Sequence, residues 1–129
     1  MVIGIGVDVV DVERFARALE RTPALKKRLF GPLDVADIGS GRAEVLSLAA
    51  RFAAKEATLK ALGGNIPGFS WHDVQVSRMP GHAPTLSLDG GALARSEELG
   101  ITSWNLSMSH DGPVAVAFVV ASGGGVVSD

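Results

Sequence analysis

The sequence predicts a small α+β domain, and three observations carry that prediction. Residues 44–62 are rich in alanine and leucine, contain no glycine or proline, and run straight into Gly63-Gly64, the pattern of one long helix with a C-terminal stop. Residues 2–10 and 114–121 are dominated by valine, isoleucine and alanine, and residues 102–110 alternate clearly, with Trp104, Leu106 and Met108 between serines and an asparagine, which is strand patterning. Between them, turn residues separate short strands from short helices in the order β-α-α-α-β-β-α-β-β, an α+β layout with hairpins and one long helix packed on a sheet.

Taking the elements in order, period two along residues 2–10 puts Ile3, Ile5, Val7 and Val9 on one face and Gly4, Gly6 and Asp8 on the other. The apolar face is expected to be core. The glycine face is nearly bare and ends in a carboxylate, a shape that admits a helix, a backbone or a ligand. Asp11 is suited to cap a helix over 12–20, with Val12, Phe15, Ala16 and Leu19 inward. Thr22-Pro23 then opens a short helix through Phe30. Residues 31–43, with three glycines, a proline, Asp34, Asp37 and Ser40, are expected to form an irregular, mobile loop. Residues 73–78 and 84–88 form a hairpin, and 92–99 a helix closed by Gly100. Trp104, Leu106, Met108 and His110 share one face of the strand 102–110, and Asp111-Gly112-Pro113 turns the chain into the continuous apolar strand 114–121, expected to be central. A single domain thus spans 1–121, and the glycine-rich residues 122–129 are expected to be a disordered tail.

At 129 residues and 47% apolar content, the chain can bury a real core. It contains no cysteine, which excludes disulfides, thiolate metal sites and cysteine nucleophiles and suits a reducing cytoplasm. The first residues have no basic segment, and Asp8 interrupts their apolar run, so neither a signal peptide nor a membrane span is expected. A net charge of −2 gives no support to nucleic-acid binding. Arg14, Arg17, Arg21, Lys26, Lys27 and Arg28, however, cluster against only Glu13 and Glu20 within residues 13–28. Such a patch fits either an acidic partner or a solvated helix face.

Three polar spots interrupt apolar elements: Asp8; the group Arg51, Lys55, Glu56 and Lys60; and His110-Asp111. On the long helix, Leu48, Phe52, Leu59 and Leu62 make an apolar stripe, with Arg51 and Lys55 along one border and Glu56 and Lys60 along the other. Asp8 and Glu56 are hard oxygen donors that suit Mg²⁺ with phosphate oxygens, and the nearby bases would neutralise phosphate charge. The residues alone are therefore compatible with phosphoryl transfer, with hydrolysis of a phosphoanhydride, or with a non-catalytic module that binds acidic proteins. Glu56 and Lys60 are also spaced for an ordinary i, i+4 ion pair.

Three motifs, Gly4-Ile5-Gly6-Val7-Asp8-Val9-Val10, Arg51-Phe52-Ala53-Ala54-Lys55-Glu56-Ala57-Thr58-Leu59-Lys60-Ala61 and Ser107-Met108-Ser109-His110, resemble the holo-acyl-carrier-protein synthases, the small trimeric class of 4′-phosphopantetheinyl transferases. The resemblance covers nearly the whole chain. It implies the small single-domain transferase fold, and transfer of the phosphopantetheine arm of coenzyme A to a serine of an acidic acyl carrier protein, with release of adenosine 3′,5′-bisphosphate. On it, Asp8 and Glu56 match the family's magnesium ligands, and Lys60 the lysine near the transferred or leaving phosphate. Arg51, Lys55 and His110 match positions around the nucleotide phosphates. Arg14, and with it Arg17 and Arg21, would meet the carrier protein. The base is left open between a metal-held water ordered by carboxylates and Asp111. A homotrimer with active sites between subunits is implied as well. Two departures stand out. Phe30-Gly31-Pro32-Leu33-Asp34 replaces the usual Phe-Thr-x-x-Glu, and His82-Ala83-Pro84 lacks the customary basic residue before proline.

Overall fold

The computed structural model describes residues 1–124. In chain order the elements are β1 (Val2–Asp11), α1 (Val12–Arg21), α2 (Leu25–Leu29), α3 (Arg42–Ala61), β2 (Val74–Ser77), β3 (Thr85–Leu88), α4 (Gly90–Glu98), β4 (Ile101–Asp111) and β5 (Val114–Gly123), with a short 3₁₀ turn at Trp71–Asp73. The expected order is therefore observed. Strands β1, β5 and β4 make one antiparallel sheet with β5 in the centre, and β2 and β3 pair separately as a hairpin.

The helix α3 lies across β1 and β5. Its sheet side is a stripe of small residues, Ala50, Ala53, Ala57 and Ala61, all buried at helical spacing. Opposite them stand Gly4 and Gly6 of β1 and Ala115, Ala117 and Ala121 of β5. The approach is so close that a Cβ on Gly4 would overlap the carbonyl of Ala61, and one on Gly6 the carbonyl of Ala57. The larger apolar residues of α3 point elsewhere. Phe52 stacks on Phe15 of α1 with ring centroids 5.5 Å apart and meets Trp71 at 5.3 Å, while Leu62 packs with Ile66, Val74 and Ala92. Thus α3 is buried on two faces rather than along one stripe.

This packing inverts the expectation for β1. Its glycine face, not its valine and isoleucine face, meets the core. Ile5, Val7 and Val9 are 57%, 47% and 59% exposed, and Phe118 beside them on β5 is 46% exposed. By register Ile5, Val7 and Val9 sit opposite Val120, Phe118 and Val116, so one apolar patch spans the outer side of two strands. Ser103, Asn105, Ser107 and Ser109 continue that outer side on β4.

Other differences are local. Asp11 caps α1 as expected, accepting from the Arg14 amide at 2.9 Å. Thr22, however, closes α1 by donating its amide to the Ala18 carbonyl, and α2 starts only after Ala24. The segment before α3 is anchored rather than loose: Asp34 is fully buried, and the Leu33 amide donates to Gln75 Oε1 at 2.8 Å. Ser122 and Gly123, expected in the tail, extend β5, where the Gly123 amide donates to the Met1 carbonyl; residues 125–129 of that tail lie outside the described residues.

Close backbone approach makes Gly6 irreplaceable. Gly6→Ala is expected to cost about 3 kcal/mol or more of stability, because backbone rather than a flexible side chain must move. Urea denaturation checks this, and a loss below about 0.5 kcal/mol would contradict the packing described here.

Candidate active site

The two seams between the buried faces of α3 carry its charged residues. At about 100° per residue, Arg51 and Glu56 emerge about 140° apart around the helix. Each seam opens on a different cavity.

On the first seam, β1 presents Asp8 on the same face as Gly4 and Gly6, beside Glu56 and Lys60 of α3. The Lys60 ammonium donates to Asp8 Oδ1 at 3.0 Å and to the Val7 carbonyl at 3.1 Å. Lys60 therefore pairs with Asp8, and no ion pair with Glu56 is formed among the described residues. The Asp8 side chain is only 14% exposed, the Lys60 side chain 57%. Glu56 is pushed above the usual carboxylate range, first by partial burial and then by the negative charge of Asp8, with Lys60 acting in the opposite direction. Two carboxylates and an ammonium from elements distant in sequence thus converge. Next to them lies a cavity of about 330 Å³ that Glu56 and Arg14 line with Phe15, Leu29, Phe52 and Trp71.

The second seam opens on a cavity of about 260 Å³ lined by Arg51, Arg78, Ser47, Ser109 and His110, with Ala43, Leu46, Ala50 and Met108. Arg51 Nη1 donates to Ser47 Oγ at 2.5 Å, and Nε to the Val76 carbonyl at 3.4 Å. The sheet separates His110 from Asp8. Asp8, Ala117 and Met108 form one row across it, and His110 is two residues further along β4, which puts its backbone roughly 12 Å from that of Asp8. Asp111 follows at the β4–β5 turn, where it is exposed. Within one chain the structure therefore brings Asp8, Glu56 and Lys60 together, and separately Arg51 and His110.

Lys55 belongs to neither cavity, which corrects its expected place beside the nucleotide phosphates. Its side chain is 0% exposed, as is that of its partner Asp34, with the ion pair at 2.8 Å. The same ammonium donates to the carbonyls of Trp71 (2.9 Å) and Val74 and lies 5.7 Å from the centre of the Phe30 ring. All three of its protons are thereby committed. Burial draws the ammonium below the usual lysine range, with the Asp34 carboxylate opposing that shift. The physical reason for the difference is the second buried face of α3, which a one-stripe reading places in solvent. Asp34 also accepts from the amides of Gly31 (2.8 Å) and Val76 (2.7 Å). Its importance was hidden in sequence because it stands in a glycine- and proline-containing stretch. Arg78 was equally unmarked, a lone base beside a turn.

On α1, Arg14, Arg17 and Arg21 are exposed. Glu13 pairs with Arg42 at 2.6 Å, and Lys26 with Glu44 at 2.5 Å. None of the ion pairs among the described residues involves Arg14, Arg17 or Arg21, so this face keeps its positive charge.

Because Glu56 is raised, its ionised form weakens the fold at neutral pH, and that penalty fades as pH falls through its folded pKa towards the unfolded carboxylate range. Glu56→Gln is accordingly expected to raise the melting temperature at pH 7 and to give no gain at acid pH below that range. Equal gains at both pH values in a thermal melt series would contradict the assigned cause.

Known proteins resemble the chain in sequence and in fold. The profile of a family described as the 4′-phosphopantetheinyl transferase superfamily matches residues 4–119. The chain is 54% identical over 121 residues to the holo-[acyl-carrier-protein] synthase of Beutenbergia cavernae, covering 94% of this chain and 98% of that protein. It is 51% identical over 122 residues to that of Streptomyces coelicolor, covering 95% and 98%. Among solved structures, the holo-[acyl-carrier-protein] synthase of Neisseria meningitidis superposes with a TM-score of 0.82 at 35% identity, covering 95% of this chain and 99% of that one. The Helicobacter pylori synthase in complex with coenzyme A gives 0.77 at 31% identity, covering 92% and 99%.

Proposed function

The chain belongs to the 4′-phosphopantetheinyl transferase superfamily, and from that premise we propose that it transfers the 4′-phosphopantetheine moiety of coenzyme A to a serine of an apo-acyl carrier protein. Adenosine 3′,5′-bisphosphate is released. Inside the molecule, the reading rests on the meeting of Asp8, Glu56 and Lys60 beside an open cavity. In the reaction the serine Oγ bonds to the phosphorus that bears the pantetheine arm, and the phosphoanhydride bond to the nucleotide phosphate breaks. The serine proton passes to a base, and the nucleotide phosphate takes the electron pair.

The residues fit Mg²⁺. Asp8 and Glu56 are oxygen donors of the kind that ion takes; the proton affinity of Glu56 is raised first by burial and then by the negative charge of Asp8, and a cation would offset the second. Among the described residues no group of three or more histidine, cysteine, aspartate or glutamate side chains is gathered, so the pair would hold the ion together with substrate oxygens and water. When bound, Mg²⁺ would polarise the pyrophosphate and offset its charge. Lys60, on a flexible and half-exposed stem, can leave Asp8 for a phosphate oxygen and balance the charge that develops as the bond breaks. For the proton, the candidates are water ordered by the two carboxylates and the exposed carboxylate of Asp111. Arg51 and His110 hold nucleotide phosphate on the other seam. Arg14, Arg17 and Arg21 dock the acidic carrier, and Arg14 reaches the cavity beside Glu56.

The assembly is a homotrimer in this reading. Two features support assembly: Ile5, Val7, Val9 and Phe118 form one exposed apolar patch across β1 and β5, and the two cavities lie on different seams of α3. The reaction is placed in the cytoplasm, which suits a cysteine-free chain and a thiol substrate. No helix among the described residues is long and apolar enough to cross a membrane.

Incubation of an apo-acyl carrier protein with coenzyme A and Mg²⁺ is expected to add one phosphopantetheine arm, read by intact mass, and EDTA to prevent it. Asp8→Ala and Glu56→Ala should each fall below about a tenth of the wild-type rate. Retention of more than that in both variants, or transfer unaffected by EDTA, would remove the metal assignment. Phe118→Asp is expected to shift the protein to monomers in sedimentation velocity and to lose transfer with them, since it lies in the patch and outside both cavities. An active monomer would refute the assembled site.

A further inference from the structure

Arg78 follows β2, outside every motif that marks the transferases, yet it lines the same cavity as Arg51, Ser47, Ser109 and His110. Among the described residues, no carboxylate lines that cavity. None of the ion pairs among the described residues involves Arg78 or Arg51, and the hydrogen bonds of the Arg51 guanidinium go to neutral oxygens. The one acid felt by Arg51, Asp34, is held by Lys55 and two amides. Burial lowers the proton affinity of the Arg51 guanidinium most, the Asp34 carboxylate opposes that shift, and the nearby Arg78 charge lowers it further. Two like charges, an imidazole and the Ser47 hydroxyl around one opening make a site for a compact, doubly charged anion.

Coenzyme A carries two anionic groups of different kinds, the pyrophosphate and the ribose phosphate monoester. The pyrophosphate contains the bond that breaks and so belongs to Asp8, Glu56 and Lys60. The monoester, close to a dianion at neutral pH, is left for the second cavity. We propose that Arg78 is the residue that selects this monoester: together with Arg51 and His110 it grips the 3′-phosphate of the donor and sets the preference for coenzyme A over 3′-dephospho-coenzyme A. The inference rests on the transferase reading for the identity of the ligand.

The experiment is calorimetric titration of the full chain and of Arg78→Gln and Arg78→Lys with adenosine 3′,5′-bisphosphate and, separately, with adenosine 5′-monophosphate. Loss of a charge-assisted contact is expected to weaken binding of the bisphosphate about tenfold or more in Arg78→Gln. The monophosphate should change less than about twofold, and Arg78→Lys should recover part of the loss, because it keeps the charge but not the planar guanidinium fork. Steady-state transfer should show the same loss as a raised KM for coenzyme A but not for 3′-dephospho-coenzyme A. Equal weakening for both nucleotides, no weakening for either, or absence of bisphosphate binding to the wild type would overturn the assignment. If the wild type binds the bisphosphate in this Arg78-dependent manner yet transfers nothing to any carrier, the transferase reading fails while the monoester site stands.

Discussion

The contact on which the rest depends is backbone against backbone, where the alanine stripe of α3 lies on Gly4 and Gly6 of β1. Small residues on both sides let helix and strand approach more closely than side chains of ordinary size allow. That closeness positions the chemistry. Asp8 follows Gly6 on the same face of β1, and Glu56 precedes Ala57 on α3, so the carboxylates are neighbours because the glycine and alanine beside them touch. Larger residues at those positions would lift the helix, and the carboxylates would separate with it. The small residues act here as spacers.

Close approach leaves the rotation of α3 unspecified, since an alanine stripe is smooth. The buried Lys55–Asp34 pair supplies the directional constraint. It ties α3 to the segment before it, to the 3₁₀ turn and to β2 through five hydrogen bonds with fixed donors and acceptors. A buried ion pair is weak evidence for net stability, because desolvation of both charges offsets much of the attraction. Its value lies in being intolerant of misplacement: a turn of the helix would leave an ammonium or a carboxylate unpaired in the core. With the rotation set, Arg51 falls on one seam and Glu56 on the other.

Much of this was legible in the sequence. Helix and strand patterning are local, so the order of elements, the cap at Asp11 and the central place of β5 follow from residues 2–121 directly. The motif residues Asp8, Glu56 and Lys60 do converge. The errors have one physical root, which is that hydrophobicity reports that a face is covered, and not by what. For β1 the valine and isoleucine face was read as the inside of the subunit, whereas the glycines take the helix and the apolar side chains face outward. For α3 the leucine and phenylalanine residues revealed one buried face, while the alanines, which are compatible with either side of a helix, concealed the second. The family resemblance assigns Lys55 to a ligand, and the one-stripe pattern does not contradict it. Asp34 could not be recognised as its partner, because a contact 21 residues apart leaves no periodic trace. Arg78 was missed for the same reason, since its meaning comes from Arg51 and His110 across the cavity.

The two seams bear on how such a molecule can act. In the proposed reaction one donor must meet both the Asp8–Glu56–Lys60 group and the Arg51–His110 cavity, which lie on different seams of α3, a helix about 10–12 Å across with its side chains. A second copy would bring the two together on that donor if its Arg51 seam were set against the Asp8 seam of the first. The apolar patch on the outer face of β1 and β5 gives copies a reason to associate, and it belongs to the strand that carries Asp8. In the proposed reaction, then, the inversion of β1 is the arrangement that serves both needs: the glycine face builds the carboxylate pair within a subunit, and the apolar face is left to build the complete site between subunits.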